Sequence, residues 1–177
     1  EDVGQWKRPW YFPIYSSESM HDAVQRESKN VRDFAGILDG STLGKIEIKG
    51  KDALSFMNLI YTNSFSKMKH GTARYALMLG EDGMIKDDGI ISKISDEHFI
   101  ATTTTGGAAT VLGCMEEYAQ TEWPNLNVYM NSITEQFATF NISGPKTRDI
   151  MFKVFPEIDF SNQAFPFMSF QFHDYLG

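Results

Sequence analysis

The clearest period along the chain is a run of strict alternation, Lys45-Ile46-Glu47-Ile48-Lys49, which predicts a half-buried strand closed by Gly50. Before it, Ser19 can cap a helix running to about Ala35, with Asp22 at the third position and Gly36 as the stop. The apolar stripe of that helix is thin (Met20, Val24, Val31, Phe34), which places it on a surface. Asp52 is a cap for a second helix, through Ile60. From Ala73 the pattern turns to strands. Ala73–Leu79, Met84–Ile94 and His98–Thr105 are joined by Gly80-Glu81-Asp82-Gly83 and Ser95-Asp96-Glu97, an antiparallel meander. Gly106-Gly107 breaks it before a helix from Ala108 to about Gln120. Val128–Met130 and Phe137–Ser143 read as further strands, and Gly144-Pro145 as the start of a helix ending near Phe155.

Helices interspersed with hairpin-linked strands point to an α+β fold, with antiparallel sheets flanked by helices. Residues 1–18, with Pro9 and Pro13 among aromatics, read as an extended N-terminal arm; residues 19–177 read as one domain. The stretch from Phe165 to Gly177 looks like a strand that begins without a partner, as though the fold were truncated at the C-terminus. Aromatics gather at both ends, Trp6, Trp10, Phe12 and Tyr15 first, then Phe165, Phe167, Phe170, Phe172 and Tyr175. They serve either as contact surfaces or as packing for the domain's own core.

Composition narrows the chemistry. A net charge of −7 without a basic face argues against nucleic acid as partner. No apolar run reaches the length of a membrane span. A single cysteine, Cys114, lies in an apolar-periodic segment and reads as a buried thiol, and the four histidines are scattered, so no metal site is expected. A reducing, cytoplasmic setting fits this cysteine usage. No glycine loop of the phosphate-cradling kind is present, since Gly106-Gly107 and Gly80–Gly83 read as strand punctuation. The threonine run Thr102–Thr105 can present hydroxyls at a strand end.

The most chemical-looking feature is Lys86-Asp87-Asp88-Gly89. Adjacent strand residues point to opposite faces, so one carboxylate can sit in solvent while the other is held among apolar neighbours. Two readings stand: a solvated flank of the turn, or a carboxylate whose enclosure suits it to act as a base.

At these residues the chain resembles a known family. Ile37-Leu38-Asp39-Gly40-Ser41-Thr42-Leu43-Gly44-Lys45 is similar to the "DxSxxGK" strand of glycine-cleavage T-protein-like aminomethyltransferases. The likeness continues through Tyr61-Thr62-Asn63, Gly71–Tyr75, the Gly83–Gly89 hairpin and Ile142–Arg148. Within that superfamily, Gly4–Pro9, Asp87-Asp88-Gly89, Thr102–Gly107 and Thr121-Glu122-Trp123-Pro124 resemble the folate-binding region of sarcosine oxidase alpha subunits.

The resemblance implies the first module and part of the second of a cloverleaf fold. It implies tetrahydrofolate as the ligand of this region, with NAD and flavin bound elsewhere in a hetero-oligomer of sarcosine oxidase subunits. The expected role is capture of the one-carbon unit from sarcosine oxidation as 5,10-methylenetetrahydrofolate. An aminomethyltransferase of glycine cleavage and a non-catalytic folate-binding scaffold are the alternatives. Ungapped register from Gly83 puts the family's essential aspartate at Asp87. Leu43 falls at a pterin-packing position, Tyr75 at a pocket-lining tyrosine, and Thr103 where the family has an asparagine on the pterin edge.

Overall fold

A computed structural model describes residues 1–174; Tyr175 and the last residues of the strand expected from Phe165 lie outside the described residues. The chain forms two compact units, where an arm and one domain were expected. One unit combines Glu1–Thr42 with Ala138–Pro166, and the other combines Leu43–Phe137 with the segment from Phe167.

In the second unit a five-stranded antiparallel sheet runs in the order β5-β6-β7-β4-β8. Its strands are β4 (Gly44–Lys49), β5 (Thr72–Leu79), β6 (Ile85–Ser95), β7 (His98–Thr103) and β8 (Tyr129–Ser132). The alternation of β4 aims Ile46 and Ile48 at one face, where α2 (Ala53–Ile60) and α3 (Ala108–Thr121) lie. Ala53, Phe56 and Met57 on α2 and Val111, Cys114 and Met115 on α3 fall at helical spacing and close the core over Ile91, Phe99 and Ala101. The buried Cys114 matches its sequence reading.

Asp52 sits at the N-cap of α2 as expected, but its side chain makes no cap bond. Its Oδ2 accepts the Asn127 amide at 2.8 Å instead, which ties the start of α2 to the segment entering β8. Among the described residues the expected C-terminal strand is reduced to one bridge, Thr72 to Ser169, along the edge of β5. There Ala73 donates to the Met168 carbonyl and Phe170 to that of Gly71.

The first unit opens with a short hairpin, β1 (Asp2–Val3) and β2 (Trp6–Lys7), turning at Gly4 with φ +59°. Helix α1 (Met20–Asp33) follows. Its cap is the predicted one, the Ser19 side chain accepting from the Asp22 amide. Between hairpin and helix the chain is irregular and turns at Tyr15, whose carbonyl accepts the Glu18 amide, so the expected extended arm is interrupted; Arg26 and Glu27 hold it to α1 by bonds to the Phe12 backbone. Trp10 stays 67% exposed, so this end of the chain is a surface and not core. The "DxSxxGK" stretch divides into two strands. β3 (Gly36–Asp39) pairs with β9 (Phe140–Ser143) in a two-stranded sheet, while the residues from Gly44 join the large sheet as β4. Helix α4 (Thr147–Val154) starts two residues beyond Pro145, later than expected. Beyond it, Phe160 packs against Phe152 and Phe165, and Arg148 donates to the carbonyls of Phe160 and Phe165.

Candidate functional site

The hairpin of β5 and β6 carries the paired carboxylates. Its turn closes with the Gly83 amide donating to the Gly80 carbonyl, and Gly83 takes φ +78°. The ladder pairs Tyr75 with Ile90, Ala76 with Gly89, Leu77 with Asp88 and Met78 with Asp87, and a bulge follows between Met78 and Leu79. β6 continues onto β7 from Ile91 paired with Ala101, and β7 onto β4 with Gly44 paired with Thr103 and Lys45 with Thr102.

These registers, with the alternation of strand side chains, sort the sheet into two faces. Met78, Asp87, Ile91, Ala101, Thr103 and Ile46 face the helices. Tyr75, Leu77, Asp88, Ile90, Thr102 and Lys45 point the other way. Burial agrees: Asp87 is 8% exposed and Thr103 3%, whereas Tyr75 is 64% exposed and Asp88 is exposed. Leu43 lies in the bend just before β4 and is 38% exposed. The four residues singled out from the sequence therefore do not line one pocket. Asp87 and Thr103 share the helix-facing side, Tyr75 shares the open side with Asp88, and Leu43 lies in the bend ahead of β4.

On the helix-facing side Asp87 is fully engaged. Thr104 donates to it twice, from Oγ1 at 2.7 Å and from its amide at 3.2 Å. The same Thr104 Oγ1 accepts the Gly107 amide at 3.1 Å, at the N-cap of α3. A side chain on Gly107 would bring its Cβ within 2.8 Å of Asp87 Oδ1, so the loop needs glycine here. Burying a carboxylate costs several kcal/mol or more unless hydrogen bonds compensate, and the two Thr104 donors supply that compensation. The charge is felt nearby: the Tyr61 hydroxyl is pushed well above its ordinary range, first by burial and then by the Asp87 carboxylate. Lys86 Nζ lies 3.4 Å from Cys114 Sγ, on the same side as Asp87.

The threonine run is not idle. Thr102 Oγ1 accepts the Ile90 amide at 2.9 Å and donates to the Ile90 carbonyl at 3.1 Å, and Thr103 Oγ1 donates to the Thr104 carbonyl at 2.9 Å. Their roles were visible in the sequence only as a cluster of hydroxyls at a strand end. Lys45, which the sequence reading passed over, is buried on the open side, its Nζ donating to the Leu43 carbonyl at 2.8 Å. Among the described residues no three His, Cys, Asp or Glu side chains converge on a metal site, and no helix is long and apolar enough to cross a membrane.

The unit is thus a helix-backed antiparallel sheet whose other face carries an exposed tyrosine, Leu77 and a carboxylate. A family model described as the GCVT N-terminal domain matches residues 1–177, and the chain belongs to that family. Among particular proteins, it is 56% identical over 171 residues to the sarcosine oxidase subunit alpha of Corynebacterium sp. (strain U-96), covering 97% of this chain. It is 47% identical over 168 residues to the sarcosine oxidase subunit alpha of Rhizobium meliloti (strain 1021), covering 95% of this chain. The chain spans only 18% and 17% of those two proteins. The aminomethyltransferase of Chlorobium phaeovibrioides is 32% identical over 165 residues, 90% of this chain and 43% of that protein. The fold is shared with the glycine cleavage system aminomethyltransferase T from Bartonella henselae, at a TM-score of 0.73 and 20% identity over 83% of this chain and 38% of that one.

Proposed function

We propose that the open face of the five-stranded sheet binds tetrahydrofolate and captures a one-carbon unit there, with Asp88 as the proton acceptor. The observation that carries this is the shared orientation of Tyr75, Leu77 and Asp88 on two paired strands, an exposed ring and an apolar side chain beside one exposed carboxylate. A planar heteroaromatic ring with amine N–H groups fits such a surface: Tyr75 offers a ring face for stacking and Leu77 an apolar floor. The bound folate supplies two amine nitrogens: one adds across the C=O or C=N double bond of the one-carbon unit, the second closes the methylene bridge as water or the amine leaves, and each nitrogen sheds one proton. Asp88, solvated and aimed outward, can take one of these protons; Asp87, turned toward α3 and already bonded to Thr104, is badly placed to do so.

The sequence register favoured Asp87, and the geometry favours its neighbour. The names of similar relatives support the wider reading. Identity of 56% to a sarcosine oxidase subunit against 32% to an aminomethyltransferase favours capture of the carbon released by sarcosine oxidation, alongside other subunits, over glycine cleavage.

Binding tests the surface. Titration of the protein, expressed from its complete reading frame, with tetrahydrofolate should show Tyr75→Ala weakening affinity roughly tenfold, since loss of one stacked aromatic costs about 1–3 kcal/mol. Thr103→Ala, on the opposite face, should leave affinity unchanged. The reverse pattern would move the site to the helix-facing side and remove this proposal.

A further inference from the structure

The buried member of the carboxylate pair also needs a role. We propose that Asp87 is a positioning residue, which ties the free end of β6 to the loop entering α3 through Thr104 and so holds Asp88 toward the open face. This rests on the reading of Asp88 as the proton acceptor.

Asp88 sits where the ladder of β6 thins out. Toward β5 its pairing with Leu77 is the second-last before the bulge, and beyond Met78–Asp87 the register shifts. Toward β7 the ladder reaches only as far as Ile91 with Ala101, three residues away. Side-chain bonds continue where the ladder stops. The Thr102 hydroxyl bonds both backbone groups of Ile90, and two residues beyond it Thr104 takes hold of Asp87. Asp88 therefore lies between two clamps, at Ile90 and at Asp87, both anchored on the chain leaving β7.

The Asp87 clamp reaches further than the strand end. Thr104 has one hydroxyl proton, given to Asp87, and its lone pair accepts the Gly107 amide. The chain of bonds thus runs from a buried carboxylate through a hydroxyl to the first turn of α3, whose Val111, Cys114 and Met115 are set in the core. Two glycines permit the close approach. A Cβ on Gly107 would crowd Asp87 and Thr104 at 2.8 and 2.7 Å, and one on Gly89 would stand 1.9 Å from the Thr102 carbonyl. Because alternate strand residues point oppositely, a carboxylate pinned at 87 fixes the strand's rotation and so the direction of the side chain at 88. A positioning error of about 1 Å at a reacting group can cost on the order of a hundredfold in rate.

The test uses the complete protein with its partner subunits and follows formation of methylenetetrahydrofolate as tetrahydrofolate is varied. Thr104→Val keeps the shape and removes both hydroxyl bonds, Thr104→Ser keeps them, and Asp87→Asn removes the charge. Thr104→Val and Asp87→Asn should lower kcat for capture roughly tenfold or more with KM for tetrahydrofolate changed less than about twofold, the signature of a lost orientation and not of lost binding. Thr104→Ser should restore the rate. Wild-type kcat in Thr104→Val overturns the proposal. So does a parallel loss in Thr104→Val and Thr104→Ser, because the hydroxyl bonds would then not be what matters. Asp88→Asn is run beside them: if it captures carbon at the wild-type rate, the proton-acceptor reading itself fails, whatever Thr104 shows.

Discussion

At the scale of single residues, one tight constraint is Gly44, at the start of β4. A Cβ there would stand 2.1 Å from Thr103 Oγ1 and 2.6 Å from the Ala108 Cβ, with no free rotamer to yield. Gly44→Ala should lower stability by about 1–3 kcal/mol, the usual cost of overpacking, read as a drop in the denaturation midpoint. Lys93 is the other unusual residue, a lysine 1% exposed on the helix-facing side of β6. Its Nζ lies 2.7 Å from Asp96 Oδ1 and 3.2 Å from the Phe65 carbonyl. The hydrogen bond from Lys93 holds the Asp96 carboxyl below its ordinary range, with a smaller contribution from His70. A depressed carboxyl contributes stability that is present above the unfolded value of about 3.9 and lost as pH falls through the lower folded one. Urea denaturation should therefore show stability falling as pH drops below about 4, and Lys93→Met should flatten that fall. An unchanged pH dependence in Lys93→Met would mean the pair does not contribute.

At the scale of elements, strands and helices with a strict period were legible in the sequence. β4 followed from five alternating residues, and α1 from Ser19 with Asp22 three residues on. That cap is testable: Ser19→Ala should destabilise α1 by about 1 kcal/mol, seen as earlier loss of helical signal on heating. What escaped the sequence was non-local. β3 acquires its partner β9 from about a hundred residues away, and no local pattern announces such a pairing. The division of faces at Asp87 and Asp88 escaped for a different reason. Alternation says the two oppose each other, but which one meets the helices depends on the register with Met78 and Leu77 and on the bulge beyond. Tyr75 could then be assigned to Asp88's side only once the neighbouring strand was in place.

At the scale of the whole molecule, membership of the GCVT N-terminal domain family accounts for the helix-backed sheet, and the resemblance read from the motifs agrees with it. The site is where family likeness and local geometry separate, since ungapped register chose Asp87 and the sheet turns Asp88 toward Tyr75 and Leu77. The central claim is that Asp88 accepts a proton shed as folate captures carbon at the open face, and product partition measures it most directly. In the complete protein oxidising sarcosine with tetrahydrofolate present, Asp88→Asn keeps the side chain's size but removes its proton acceptor, a change that typically costs on the order of 10²–10⁴ in rate. The account predicts that formaldehyde then accumulates in place of methylenetetrahydrofolate while sarcosine consumption continues, and that Asp87→Asn gives a milder version of the same diversion. Wild-type partition in Asp88→Asn, with full diversion in Asp87→Asn, would contradict it and return the chemistry to the helix-facing carboxylate.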